Sequence, residues 1–276
     1  MTELPVTAHI RLEAQGPVLR LWLNRPEVRN AVSSQMVREI LATFAAIRED
    51  RNVRVVVLRG AGGTFCAGAD IKSLAGAAEA PPAATADATG DREQSNRRFG
   101  LMMETVNSAP QAVIAAVEGY AMGGGFGLAC VADITIATED ARFAMTEVTL
   151  GLVPAAISPF VVRRIGLTAA RRFGVSGARL TGEEAREVGI AHLTVKSAAA
   201  LGAAVTDAIN QILQCAPEAV AETKRLMLRA AGPAPIAELL DQAAESFARA
   251  VRGEEGREGT RAFVEKRKPA WATRAE

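Results

Sequence analysis

Three consecutive glycines, Gly123, Gly124 and Gly125, form the first stretch of this sequence that could perform chemistry. They follow an apolar run that begins at Ala115, and they precede a second apolar run that suits a buried helix. Glycine lets the backbone approach a ligand closely, and a helix N-terminus adds unpaired N–H donors with a partial positive charge. This turn could therefore hold a developing oxyanion, and a tight strand-to-helix turn packed against a sheet is an equal alternative.

One acidic residue, Glu147, is the strongest side-chain candidate for moving a proton. It follows an apolar run at residues 143–145 and precedes Val148 and Leu150, so it stands in an apolar setting. Burial in such a setting raises the pKa of a carboxyl group and makes it usable as an acid or a base near neutral pH. On these residues alone, a solvated glutamate at the end of a strand is the competing interpretation.

Composition and charge argue against several classes of function. The 276 residues include 32 basic and 31 acidic side chains, a balance that argues against a nucleic-acid surface or a polybasic membrane patch. A Gly-x-Gly-x-x-Gly pattern can be traced through the glycines, but no acidic ribose partner follows at the expected distance. The cysteines, Cys66, Cys130 and Cys215, lie far apart without metal-ligand spacing, so we expect three buried, small apolar residues.

The sequence shows no signal peptide and no uninterrupted apolar stretch that could span a bilayer. We therefore expect a soluble cytoplasmic protein that binds no metal, no nucleic acid and no membrane.

Alternating strands and helices are predicted to position the candidate residues. Residues 9–23 predict a β-hairpin that turns at Gly16-Pro17, Ser33 or Ser34 can cap a helix that runs to about residue 49, and residues 53–58 form a buried-strand pattern. Strand, helix and strand in this order favour parallel pairing through a right-handed crossover. Residues 75–92 show little periodicity and predict a mobile loop or a poorly ordered helix that could act as a lid.

The second half of the chain changes character near residue 195. Further strands are predicted at 112–117 and 133–137, and Thr181 begins a capping box. From residue 198 onward only helical patterns remain, at 198–214, 217–230, 234–252 and 256–267. This shift marks the predicted domain boundary.

Five separated segments together resemble the crotonase family, the enoyl-CoA hydratases and isomerases. They are residues 24–31, 65–72, 119–125, 143–154 and 258–268. The resemblance covers nearly the whole chain in the right order. It implies an α/β crotonase (ClpP-like) fold of repeated ββα units, with a CoA-binding and catalytic core at 1–195 and a helical C-terminal region at 196–276 that builds a homotrimer or a dimer of trimers.

The resemblance also implies a chemistry. Members bind acyl-CoA thioesters and stabilise a thioester enolate with two backbone N–H groups, which by position would be those of Ala69 and Gly124, while Glu147 matches a catalytic glutamate. No separate cofactor is implied, because coenzyme A is part of the substrate. The positions that match substrate-binding and CoA-binding residues are Val28, Arg29, Ala67, Ala69, Asp70, Ile71, Lys72 and Gly124, together with Phe263 and Lys266, which in relatives reach the CoA of a neighbouring subunit.

One position departs from the family pattern. Hydratases with two catalytic glutamates carry the second acid where this chain has Gly127, and a single carboxylate is typical of Δ3,Δ2-isomerases. Against this, residues 150–162 resemble a bacterial subgroup of methylglutaconyl-CoA or isohexenylglutaconyl-CoA hydratases. We therefore predict an enoyl-CoA hydratase acting on a branched or glutaconyl-type thioester, with a Δ3,Δ2-enoyl-CoA isomerase using Glu147 alone and a non-catalytic acyl-CoA binder as the alternatives.

Overall fold

A computed structural model of the chain describes residues 2–70 and 85–275. The strands are β1 (Ile10–Gln15), β2 (Val18–Leu23), β3 (Val55–Gly60), β4 (Ala112–Val117), β5 (Tyr120–Met122), β6 (Ile134–Thr138), β7 (Arg142–Ala144), β8 (Arg179–Thr181) and β9 (Leu193–Val195). The helices are α1 (Ser34–Ile47), α2 (Thr85–Asn107), α3 (Gly124–Val131), α4 (Ser158–Ser176), α5 (Gly182–Glu187), α6 (Ala198–Ile212), α7 (Pro217–Ala230), α8 (Ile236–Arg252) and α9 (Glu254–Val264).

The larger sheet has the strand order β1-β2-β3-β4-β6-β9. Only β1 and β2 pair antiparallel, and Gly16 with φ +53° makes the turn between them. The other neighbours pair parallel, and β2 and β3 are joined through α1, whose N-terminus is capped by the Ser33 side chain. The predicted hairpin, the capped helix and the parallel crossover are therefore confirmed.

The larger sheet is buried on both faces, as a predominantly parallel sheet requires. Side chains of α1, α2 and α3 pack with one face, and side chains of α6 pack with the other. Every residue of α3 is buried, so the glycine turn leads into a helix at the centre of the protein. Of the predicted loop at 75–92, residues 75–84 lie outside the described residues, and residues 85–92 belong to α2.

A second, three-stranded sheet with the order β5-β7-β8 was not predicted from the sequence. Each of its strands has only three residues, which is too short for a strand pattern to emerge. Gly119, with φ +64°, lies between β4 and β5 at a place where a side chain would meet the carbonyl oxygen of Gly63. This turn lets the chain leave the larger sheet and enter the smaller one beside the glycine segment.

The C-terminal helices divide into two groups by their packing. Helix α6 lies on the larger sheet, whereas α8 packs against both α7 and α9. The predicted boundary at 195 thus separates α6 from the sheet on which it packs, and the oligomerisation role of residues 196–276 stays a prediction. The predicted tail helices themselves are confirmed.

The tail segment at 258–268 has a clear structural role in this chain. Glu258 accepts two hydrogen bonds from the guanidinium of Arg267, at 2.6 and 2.9 Å, and a third from the amide of Ala270. Arg267 and the Ala270 amide hold the pKa of Glu258 low, at about 2. Gly259 leaves room for the Trp271 ring, which a methyl group there would approach to 2.9 Å. These contacts fold the last residues back onto the helices.

The structure bears on two expectations from the sequence, the burial of the cysteines and the absence of a membrane-spanning helix. Cys66 and Cys130 are buried, but Cys215 is exposed beyond the end of α6, so the expectation of three buried cysteines is wrong for Cys215. In the described ranges, no helix is both long and apolar enough to cross a membrane.

Candidate active site

Two chain segments are held side by side at the carboxyl ends of β3 and β4. The amide of Cys66 donates to the carbonyl of Tyr120 at 2.7 Å, and the amide of Met122 donates to the carbonyl of Cys66 at 2.9 Å. Gly68, with φ +95°, follows at a point where a methyl group would stand 3.0 Å from the carbonyl oxygen of Met122. The loop that contains Ala69 is therefore fixed against the backbone that leads into α3.

Pairing with Val32 directs the amide of Ala69 to the side of the loop opposite Val32. Val32 donates to the carbonyl of Gly68 at 2.7 Å and accepts from the amide of Asp70 at 3.2 Å. In a parallel bridge the flanking residues supply these bonds, so the N–H of Ala69 itself points to the opposite side. No acceptor for this amide occurs among the described residues.

The amide of Gly124 is the second free donor. The amide of Gly123 is used by the carbonyl of Ala144, and the first helical bond of α3 runs from Gly127 to Gly123 at 3.0 Å. Gly124 lies between them, and within the described part of the chain its N–H has no acceptor. A helix N-terminus leaves such donors available to an anion, so Ala69 and Gly124 offer two amides with oxyanion-hole chemistry.

The carboxylate of Glu147 lies directly beside this pair of amides. Glu147 opens a short 3-10 helix, and a methyl group on Gly123 would stand 2.8 Å from its Oε1. Its Oε2 is buried and has no hydrogen-bond partner in the described structure. Burial raises the pKa of this carboxyl group, partly offset by a hydrogen bond from its own backbone amide. A buried, unpaired carboxyl oxygen next to free amides suits proton transfer on a bound ligand.

Residue 127 is a glycine, and its neighbours leave no space for an acidic side chain. A methyl group built on Gly127 would overlap the Cγ2 methyl of Ile157 and stand 3.3 Å from Cε of Met103. The carboxylate pair that the two-acid pattern needs is therefore absent at this position, as the sequence predicts.

The segment at residues 24–31 is linked to the loop that contains Ala69 by a backbone hydrogen bond and by an ion pair. The carbonyl of Arg29 accepts a hydrogen bond from the amide of Ala67 at 2.9 Å, and the Arg29 guanidinium lies 5.7 Å over the ring of Tyr120. Arg25 forms a 3.0 Å ion pair with Asp70. Val28, in the turn just before Arg29, is half-buried. Val28, Arg29, Ala67 and Asp70 thus belong to one surface beside the free amides.

Of four further predicted binding positions, two lie outside the described residues and two do not join this surface. Ile71 and Lys72 lie outside the described residues. Phe263 is exposed at the end of α9, and Lys266 follows it with φ +54°. The tail around them is held by Arg54, at the amino end of β3, whose guanidinium donates to the carbonyl of Trp271. The candidate site is at the opposite end of the strands, so Phe263 and Lys266 do not approach the site of their own chain.

Sequence reasoning missed the side chains that cover the glycines. The ring of Phe99 stands where a side chain on Gly124 would be, with Cζ 2.9 Å from the position of a built methyl group. Met103 lies one helical turn further along α2 and meets Gly127 together with Ile157. The helical spacing of Phe99 and Met103 was visible in the sequence, but nothing in it indicated which glycines they cover. No group of three or more potential metal ligands occurs among the described residues.

Comparison with known proteins identifies the family of this chain. The enoyl-CoA hydratase/isomerase family model matches residues 13–274. A carnitinyl-CoA dehydratase of Proteus mirabilis is 34% identical over 271 residues, which cover 96% of this chain and 98% of that protein. The structure of Pseudomonas aeruginosa AtuE is 51% identical with a TM-score of 0.91, covering 96% of this chain and 100% of that one. An enoyl-CoA hydratase/isomerase from Marinobacter aquaeolei is 50% identical with a TM-score of 0.90, covering 96% and 99%.

The chain therefore belongs to the enoyl-CoA hydratase/isomerase family and has the crotonase fold. It is an enzyme of the enoyl-CoA hydratase/isomerase class, whose members act on acyl-CoA thioesters. The family, the fold and the enzyme class predicted from the sequence motifs are confirmed.

Proposed function

We propose that this enzyme hydrates a branched, glutaconyl-type enoyl-CoA and that Glu147 is its catalytic carboxylate. The observation that carries this proposal is the buried, unpartnered Oε2 of Glu147 beside two amides without acceptors. The resemblance of residues 150–162 to glutaconyl-CoA hydratases supports the choice of substrate class.

The proposed reaction uses the amides of Ala69 and Gly124 to bind the thioester oxygen. A water oxygen bonds to the β-carbon, the electrons of the carbon–carbon double bond move to the thioester oxygen, and an enolate forms. Glu147 takes a proton from the water and returns one to the α-carbon. Donors aimed at developing charge are worth about 3–4 kcal/mol each, so the two amides carry much of the rate enhancement.

The missing second acid raises the question of what holds the water. We propose that a carboxylate on the substrate contributes to this task, which is the chemical reason to favour a glutaconyl-type substrate over a simple enoyl-CoA. The positions Val28, Arg29, Ala67, Asp70, Ile71 and Lys72 are proposed to bind the CoA portion.

The proposed assembly is a homotrimer or a dimer of trimers. Phe263 and Lys266 lie far from the site of their own chain, and Phe263 is 85% exposed. Both features support the proposal that these two residues approach the CoA bound by a neighbouring subunit.

The test is an assay of the wild type and of Glu147→Gln on crotonyl-CoA, 3-hexenoyl-CoA and 3-methylglutaconyl-CoA. Loss or gain of the conjugated enoyl thioester absorbance is followed, and the products are identified by mass. We expect 3-methylglutaconyl-CoA to gain one water with the wild type and to stay unchanged with Glu147→Gln. The variant Glu49→Gln, at an exposed glutamate just beyond the end of α1, is the matched control and should retain full activity.

Isomerisation is the second candidate, and the filled space at Gly127 favours it, because moving a proton between C2 and C4 needs only one carboxylate. In the same assay, a shift of the double bond in 3-hexenoyl-CoA without a change of mass would support the isomerase. Binding of all three thioesters without turnover would contradict both reactions and favour a non-catalytic acyl-CoA binder.

A further inference from the structure

Two apolar side chains fill the space beside Gly127. A methyl group built on this glycine would overlap Cγ2 of Ile157, and it would stand 3.0 Å from Cβ of Ile157 and 3.3 Å from Cε of Met103. Ile157 is 2% exposed and Met103 is fully buried, so neither side chain has solvent to move into. Residue 127 can therefore carry no side chain while Ile157 and Met103 keep their places.

The filled space lies one helical turn from the free amide of α3. Gly127 donates to the carbonyl of Gly123 at 3.0 Å, so positions 123, 124 and 127 share one face of the first turn. One turn rises by about 5 Å. A carboxylate on residue 127 would therefore stand level with the acyl atoms just beyond a thioester carbonyl that is bound at Gly124. That is where a second acid could hold water against the β-carbon.

We infer that Ile157 is a specificity-determining residue that keeps this enzyme a one-carboxylate hydratase, an inference that rests on the proposed function. With Met103, Ile157 excludes an acid from position 127. A substrate such as crotonyl-CoA brings no polar group to hold the water, and it is turned over poorly. A glutaconyl-type substrate brings its own carboxylate. A second protein acid becomes possible only when Ile157 is shortened.

The test compares the single variant Gly127→Glu with two double variants, in which it is combined with Ile157→Ala or with Ile114→Ala. Ile114 is a fully buried isoleucine on the opposite face of the larger sheet, so its replacement controls for the loss of isoleucine volume. A further variant, Gly127→Gln with Ile157→Ala, has the same shape without the acid. Thermal unfolding and the rate of crotonyl-CoA hydration are measured for each.

We expect Gly127→Glu alone to lower the unfolding temperature by about 5 °C or more, because its side chain has no room. Adding Ile157→Ala should recover most of this loss, whereas adding Ile114→Ala should lower the temperature further. The variant with glutamate and Ile157→Ala should hydrate crotonyl-CoA at least about tenfold faster than the wild type. The glutamine counterpart should unfold at a similar temperature and show no such gain.

Additive effects of the substitutions at 127 and 157 on the unfolding temperature would overturn the inference. So would a stable double variant that gains nothing on crotonyl-CoA while the wild type hydrates a glutaconyl-type thioester. Failure of the proposed function has a different signature, since the wild type would then hydrate none of the thioesters. In that case the coupling seen in unfolding would still show whether Ile157 excludes a side chain from position 127, but the role of Ile157 in hydration would be refuted.

Discussion

The carboxylate of Glu147 lies against the α-carbon of Gly123, so that a methyl group there would be 2.8 Å from Oε1 and 3.3 Å from Cδ. Gly123 also has φ +47° and ψ −111°, a conformation that side-chain-bearing residues rarely adopt. Its amide is anchored on the carbonyl of Ala144 at 2.8 Å, just before the segment that carries Glu147. Glycine is therefore required at position 123 for two independent reasons, which are the backbone conformation and the space occupied by the Glu147 carboxylate.

Replacement of Gly123 by alanine should damage both stability and turnover. We expect a loss of about 1–3 kcal/mol in the free energy of unfolding from the backbone strain. We also expect a fall of about 100-fold in kcat, because the carboxylate must move by a fraction of an ångström or more. The measurements are denaturant unfolding and steady-state kinetics on the hydrated substrate. Gly16→Ala is the matched control, since Gly16 has φ +53° and open space around it; equal kcat losses in the two variants would contradict the prediction.

The buried carboxyl group of Glu147 should make stability depend on pH. Burial raises its folded pKa above the value in the unfolded chain, near 4.3. The stabilisation from its protonation is therefore complete below the unfolded pKa and is lost as the pH rises through the folded pKa. We expect Glu147→Gln to match the wild type in unfolding temperature near pH 4 and to exceed it near pH 7.5. A difference that does not grow with pH would show that this burial has no such effect, and Glu49→Gln controls for the change in net charge.

The guanidinium of Arg29 should contribute to CoA binding. The guanidinium is exposed beside the loop that contains Ala69 and lies over the ring of Tyr120. The backbone carbonyl of Arg29 accepts a hydrogen bond from the amide of Ala67. Arg29→Ala keeps this carbonyl and removes the guanidinium together with its contact to Tyr120, so we expect roughly a fivefold loss of affinity for CoA that shrinks at high salt. Titration calorimetry at two salt concentrations measures both effects. Arg48→Ala removes another exposed charge, at the end of α1, and matching affinities for the two variants would contradict this role.

An exposed apolar stripe on α8 should be a subunit interface. Ile236, Leu240, Phe247 and Val251 recur on one helical face and are each at least half exposed in the isolated chain. Phe247→Asp should convert the proposed trimer into monomers, which light scattering after gel filtration would detect. Val6→Asp places the same charge on a fully exposed apolar residue outside the stripe and should leave the assembly intact. A wild type that is monomeric, or a Phe247→Asp variant that stays trimeric, would refute this assignment.

Local signals account for the parts of the fold that were predicted correctly. The hairpin turn at Gly16, the Ser33 cap and the Thr181 capping box each involve residues close together in sequence, and all three are present. The small sheet was missed because β5, β7 and β8 pair across long stretches of chain and are each three residues long. Their pairing depends on tertiary structure, which leaves no periodic pattern in the sequence.

The backbone donors and the acidic residue of the candidate site were predictable from the sequence, but the side chains that cover the glycines were not. Ala69, Gly124 and Glu147 lie in motifs that resemble those of a known family, and the structure brings them together. The contact of Met103 and Ile157 over Gly127 joins three segments that are 24 to 54 residues apart in sequence. Only the packing of α2 and the start of α4 on α3 creates it, so no single segment could reveal it.

The packing of Ile157 on Gly127 also limits how this enzyme can evolve. A lineage that acquires glutamate at 127 first passes through a crowded, poorly folding ancestor. A lineage that shortens Ile157 first passes through one with a cavity, at a cost of about 2–5 kcal/mol from a total stability of roughly 5–15 kcal/mol. Because either first step is disfavoured, the two residues are expected to be inherited as a pair, and a prior gain of stability elsewhere in the fold would favour a change of chemistry at this site.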